Sequence, residues 1–149
     1  MMAEYRGCIL PETLFYDLDY VWARPLGDGL IAIGVTDPAQ TLGGRMLAAN
    51  IKKPGTQIRA GRHVATLESG KWVGGIPVPF GALVVERNEA VLADPHLVNV
   101  DPYGEGWIAR LRPDDLSSAL SGLATGEPAI AALREWIDRY NVECMRCSD

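Results

Sequence analysis

Residues 63–79 read HVATLESGKWVGGIPVP. Two extended stretches, 63–68 and 72–79, flank Ser69-Gly70-Lys71. Their β-rich composition predicts a hairpin with Lys71 at its tip. That lysine stands out, because most of the 14 basic residues are arginine and the other two lysines are adjacent, Lys52-Lys53. A rigid tip, with a small residue such as Gly70 beside it, presents an amine to other proteins at a fixed place. Schiff-base chemistry wants a desolvated lysine. An exposed one suits modification by a partner enzyme, and the bland alternative is a solvated turn residue.

Outward from this hairpin the chain reads as mainly β. Residues 19–24 (DYVWAR) and 30–35 (LIAIGV) flank the turn Gly27-Asp28-Gly29 and predict a second hairpin. At 36–44, Thr36 or Asp37 can cap a helical turn with Pro38 in its first position, and Gly43-Gly44 ends it. Residues 45–51, 81–88 and 107–112 read as further strands, and 52–63 as a loop broken by Pro54, Gly55 and Gly61. Residues 93–99 suggest a helical turn capped by Asp94, and a helix begins at 113–120. Ile130, Leu133, Ile137 and Tyr140 recur at helical spacing with Trp136 widening the stripe. They predict an amphipathic helix over about 127–143, followed by a short tail at 144–149. Many short strands with turn signals favour a small β barrel or sandwich, in one domain spanning 1–149.

A chain of 149 residues can bury one proper core. Its net charge of -5 disfavours nucleic acid as a partner. No apolar run approaches the roughly 18 residues that span a bilayer, and MMAEYRGCIL has no apolar stretch of a secretory signal. A cytoplasmic protein is expected. Its three cysteines are then expected as reduced thiols. Cys144 and Cys147 form a C-x-x-C that could work in redox or bind metal with Cys8. It lacks the second ligand pair of a zinc site and the strand-to-helix setting of thioredoxin-like motifs. In NVDPYGEGW (99–107), Asp101 and Glu105 have no nucleophile or metal ligand beside them, and the loop reads as structural. His63 and His96 stand alone. No catalytic residue and no metal site is expected.

Three stretches in order, GDGLIAIGVTDPAQTLG (27–43), LESGKWVGGIPVPFGALVVERNEAV (67–91) and LVNVDPYGEGWIARLRPDDL (97–116), resemble the glycine cleavage system H proteins, a lipoyl-carrier family. The likeness covers about residues 14–121. The family's Glu-Ser-x-Lys with a proline eight residues on is matched by Glu68, Ser69, Gly70, Lys71 and Pro79. The resemblance implies a lipoyl-domain-type barrel-sandwich hybrid with flanking helices. It implies lipoate in amide linkage on Lys71, with Glu68 on the surface that modifying or partner enzymes recognise. The domain would catalyse nothing alone and would carry a group on a swinging arm between partner enzymes. The implied partners are a lipoate-attaching enzyme, the glycine cleavage enzymes and a dihydrolipoamide dehydrogenase-like flavoenzyme.

The departures from the family are specific. Its small residues after the lysine are Trp72-Val73-Gly74-Gly75 here, its His-x-Trp is Tyr20-Val21-Trp22, and an acidic L-P-E-x-G segment is Ile51-Lys52-Lys53-Pro54-Gly55. Trp72 is either a packed strand residue or a partly exposed contact for whatever docks or is carried. The Gly-Lys-Trp-Val-Gly run and the Gly7-Cys8 start with Pro11-Glu12 behind it resemble a sister group, the H-like lipoate-binding proteins of bacterial sulfur oxidation. That likeness implies a sulfur intermediate as cargo and a heterodisulfide-reductase-like complex as partner. The alternatives are an aminomethyl carrier of the glycine cleavage system and an unlipoylated regulator or scaffold.

Overall fold

The computed structural model describes residues 2–17 and 20–144. Cys147 and the rest of the tail beyond Cys144 lie outside the described residues. In chain order the strands are β1 (Met2–Tyr5), β2 (Cys8–Pro11), β3 (Phe15–Asp17), β4 (Val21–Gly27), β5 (Leu30–Val35) and β6 (Met46–Ile51). They continue with β7 (Gln57–Ile58), β8 (His63–Ser69), β9 (Val73–Pro77), β10 (Ala82–Arg87), β11 (Ala109–Pro113) and β12 (Ala124–Thr125). The helices are α1 (Asp37–Gly43), α2 (Glu89–Ala93), α3 (Leu97–Val100), α4 (Leu116–Ser121) and α5 (Gly126–Arg139).

A seven-stranded sheet, ordered β12-β3-β4-β5-β11-β10-β7, faces a three-stranded sheet ordered β6-β8-β9. The period-two alternation of β4 and β5 explains the layering. Val21, Ala23, Ile31, Ile33 and Val35 point into one core with Val64, Leu67 and Ile76 of the smaller sheet. Trp22 and Ala32 point the other way, into a second core with Leu10, Tyr16, Ile130, Leu133 and Ile137. The result is sandwich-like, with sheet on sheet and α5 with the β1–β2 hairpin on the outer face. Trp22 is fully buried and donates to the Pro102 carbonyl at 3.0 Å. Its ring fills the space that a side chain at Gly34 would need.

Several boundaries differ from the sequence expectation. α5 ends at Arg139, not near 143, and Asn141 takes a positive φ of 52° just beyond it. Burying Ile130, Leu133 and Ile137 stabilises its docking by roughly 1.5–3 kcal/mol each. Asp94 is the C-terminal cap of α2, not the start of a helix, and α3 begins behind His96 without a side-chain cap. Thr36 is the cap of α1, accepting from the Ala39 amide, and Pro38 lies in the first turn.

The cysteine expectation is corrected for two residues. Cys8 and Cys144, 136 positions apart, form a disulfide with Cα atoms 4.8 Å apart. The turn between β1 and β2 lies against the segment after α5, and Cys144 donates its amide to the Arg6 carbonyl at 3.1 Å. Arg6 also reaches Asn141 at 2.7 Å, and Tyr5 donates to the Asp138 carboxylate. These contacts bring the two sulfurs together.

Candidate functional site

Strands β8 and β9 form the expected hairpin, with Glu68 opposite Val73 and Thr66 opposite Gly75. Gly70 and Lys71 make the bend. The Ser69 amide donates to the Trp72 carbonyl at 2.7 Å and closes the turn. The buried Ser69 hydroxyl donates to the Gly43 carbonyl at 2.6 Å and accepts the Lys71 amide at 3.3 Å. One serine thus fixes the hairpin tip to the end of α1.

Lys71 is exposed, and its stem lies along Gly44. A β-carbon at Gly44 would come within 2.9 Å of Lys71 Cε, and Gly44 has φ +85°, a region that favours glycine. Gly70 is different. Open space surrounds the position of its missing side chain, so no packing demands glycine there. Glu68 is exposed on the same strand.

Buried amides and carboxylates hold the Gly43–Gly44 platform. Asn99 accepts from the Met46 amide at 2.8 Å and donates to the Gly44 carbonyl at 2.8 Å and to Gln40 Oε1 at 2.9 Å. Gln40 donates to Asp37 at 2.8 Å, and Asp37 accepts the Ile9 amide at 2.8 Å. Tyr103 donates to the Ile9 carbonyl and accepts the Asp37 amide. The 99–107 loop is therefore a brace for the platform, as its structural reading implies. Asp101 accepts the Glu105 amide at 2.9 Å, which makes it a turn-former. At Gly106 a side chain would meet the Leu97 and Asp101 carbonyls.

Trp72 is half-buried. Its ring lies against Gly74, where a side chain would overlap it, and approaches Gly43. The two unusual features, tryptophan after the lysine and glycine two residues on, are one packing arrangement. His63 uses Gly75 in the same way, with its imidazole against that glycine. His96 is buried at the start of α3.

Beside the hairpin tip, Trp72 lines an apolar pocket of ≈ 320 Å³ with Tyr20, Leu42, Met46, Trp136 and Tyr140. Trp136 and Tyr140 pack at 4.8 Å between ring centroids, and Leu42 and Tyr140 are exposed. The sequence reading missed this pocket. Its walls come from residues 20 to 140, which only the tertiary fold brings together. The legible signals were Trp72 beside the lysine and the aromatic widening of the α5 stripe by Trp136. Among the described residues there is no cluster of metal-ligating side chains and no helix long and apolar enough to cross a membrane.

Comparison with known proteins agrees with this geometry. Residues 14–136 match the family model described as Glycine cleavage H-protein. Glycine cleavage system H protein 2 of Aquifex aeolicus is 47% identical over 142 residues, covering 95% of this chain and 88% of that protein. Glycine cleavage system H protein 3 of the same organism is 43% identical over 148 residues, covering 97% and 92%. The crystal structure of a glycine cleavage system H protein from Mycobacterium marinum superposes with a TM-score of 0.72 at 27% identity. It covers 82% of this chain and 97% of its own. The family match starts at residue 14, so the β1–β2 hairpin precedes it. The chain belongs to the glycine cleavage H-protein family.

Proposed function

We propose that this protein is a lipoyl carrier with lipoate in amide linkage on Lys71, and that its cargo is a sulfur intermediate. The observation that carries the first part is the setting of Lys71, an exposed amine on a turn fixed by Ser69 and resting on Gly44. When bound, lipoate supplies a dithiolane on a long stem, which cycles between disulfide and dithiol and holds a group on sulfur. The residues present fit such an arm. The amine is free to be acylated, the turn is rigid, and an apolar pocket opens beside it. The protein's part is presentation, through Ser69 and the Asn99 brace, and shelter, through Trp72. It is a carrier subunit and not a catalyst.

The sulfur reading is supported by the pocket walls. Aromatic, aliphatic and methionine side chains line it, and among the described residues no carboxylate does. Such walls suit a neutral, polarisable sulfur load better than a charged aminomethyl group. The partners in this reading are a lipoate-attaching enzyme and a heterodisulfide-reductase-like complex. A dihydrolipoamide dehydrogenase-like flavoenzyme would reset the arm, and the site of action is the cytoplasm. The relatives are named as glycine cleavage system H proteins, which favours the second reading, an aminomethyl carrier working with the glycine cleavage enzymes. Offering the lipoylated protein to glycine decarboxylase with glycine separates the two. Our reading expects negligible aminomethyl loading by mass; efficient loading would establish the second reading instead.

A further inference from the structure

We propose that the groove walled by residues 50–66 is a docking site for an acidic segment of a partner protein. Its volume is ≈ 650 Å³, and Lys52, Arg59, Arg62 and His63 line it together with Asn50 and Gln57. These six side chains are exposed. Lys53 adjoins the groove and is exposed as well.

Three observations support a site and not a chance scatter of surface charge. The first is concentration. Residues 52–63 hold four lysines and arginines and no carboxylate, while the rest of the chain holds ten cations against nineteen acids. The second is availability. Lys52, Lys53, Arg59 and Arg62 form none of the ion pairs among the described residues. Every other described arginine is engaged by a carboxylate, a carbonyl, an aromatic ring or another group. The nearby Asp114 carboxylate is held by Gln57 at 3.2 Å.

The third observation is preorganisation. Two pinned turns project the cations. The Lys52 amide donates to Val64 at 2.8 Å, and the Thr56 hydroxyl closes on the Lys53 carbonyl at 2.7 Å. The Arg62 amide donates to the Arg59 carbonyl at 3.0 Å, with Gly61 at φ +86° between them. Fixed turns reduce the ordering cost of binding.

The size and openness of the groove select the occupant. Its volume suits a short peptide segment more than one small oxyanion. Complementary charge would steer an acidic segment into it and repel a basic one. The groove and Lys71 stand at opposite ends of β8. The groove lines β8 from His63 to Thr66, so along the strand its far edge is about 20 Å and its near edge about 10 Å from the hairpin tip. A standard interface of about 800 Å² per partner is about 30 Å across, so one docked protein can cover the groove and receive whatever Lys71 carries. Glu68, exposed between the two, marks where the positive surface ends.

The test uses the full chain, lipoylated and unlipoylated, and a fluorescein-labelled decaglutamate peptide read by fluorescence anisotropy. Binding by the unlipoylated chain keeps this inference separable from the carrier reading. The combined Lys52→Gln, Arg59→Gln and Arg62→Gln variant is compared with Arg110→Gln, Arg134→Gln and Arg139→Gln, which removes the same charge elsewhere. Each exposed pair is worth up to about fivefold. The groove variant is expected to bind about tenfold to a hundredfold more weakly, and the control within about twofold of wild type. Raising salt from about 50 to 500 mM should weaken wild-type binding, a readout independent of any variant's folding. Three results would overturn the proposal: no salt-sensitive binding by wild type, equal losses in the two variants, or displacement of the peptide by inorganic phosphate below about 1 mM.

Discussion

At Gly44 two requirements fall on one residue. Its φ of +85° favours glycine, and the Lys71 stem occupies the space of a side chain. Gly44→Ala should cost about 1 kcal/mol or more in stability and push the Lys71 stem aside. Thermal unfolding measures the first effect, and a slower lipoylation rate under limiting ligase the second. Asn99 acts one layer deeper. Asn99→Leu leaves the buried Met46 amide and the part-buried Gly44 carbonyl without their side-chain partner. A loss of about 2–4 kcal/mol in urea unfolding is expected, since buried unpaired groups cost about 1–3 kcal/mol each. Trp72→Ala tests the pocket itself. The lysine keeps its turn, so lipoylation should proceed, whereas transfer of cargo to the partner should fall. Unchanged transfer would reduce Trp72 to a packing residue. Trp72 and Gly74 were both visible in the sequence as departures, but their packing against each other was not. A glycine in a strand does not announce which ring it admits.

At the level of elements, the β1–β2 hairpin and the end of α5 form a clasp. The Cys8–Cys144 disulfide, the Arg6 contacts to Asp138 and Asn141 and the Tyr5–Asp138 hydrogen bond all cross it. α5 also supplies Trp136 to the pocket, and Tyr140 follows directly from its end. The clasp thus connects the hairpin to the pocket wall. The loop closed by the disulfide spans most of the chain, and chain-entropy arguments put its contribution at about 2–5 kcal/mol. Cys144→Ser, or wild type held in dithiothreitol, should lose that much in urea unfolding relative to the oxidised protein. No difference between oxidised and reduced protein would show that packing alone holds the clasp.

The Tyr5 bond adds a pH dependence. Its phenol is raised above the ordinary value of 10.0, chiefly by the hydrogen bond to the Asp138 carboxylate. A raised value means that this contribution is complete below pH 10 and disappears as pH rises through the raised value. The stability difference between wild type and Tyr5→Phe should therefore hold constant through neutral pH and shrink only above pH 10. Sequence periodicity could locate α5, because four residues repeat at 3.6 spacing. It could not pair Cys8 with a residue 136 positions away. Nor could it find a hairpin whose strands, MAEY and CILP, lack polar–apolar alternation in sequence.

For the whole molecule, the layered plan follows from alternation in β4 and β5, which sends one set of side chains to each core. The hairpin at residues 63–79, the mainly β character and the position of Lys71 were all legible, because local turn chemistry and period-two patterning specify them. The apolar pocket and the basic groove were not. The pocket is assembled from segments between residues 20 and 140, and the groove from the folding of one stretch, residues 50–66; the sequence showed only their ingredients: Trp72, Trp136 and the run from Lys52 to His63. The proposed function rests on one residue, Lys71, exposed on a turn that Ser69 fixes. The most direct measurement is the intact mass of the full chain co-expressed with a lipoate-attaching enzyme, beside its Lys71→Arg variant. One lipoyl increment on the wild type, and none on the variant, is the predicted result. An unmodified wild type, or an increment that survives in Lys71→Arg, would contradict it.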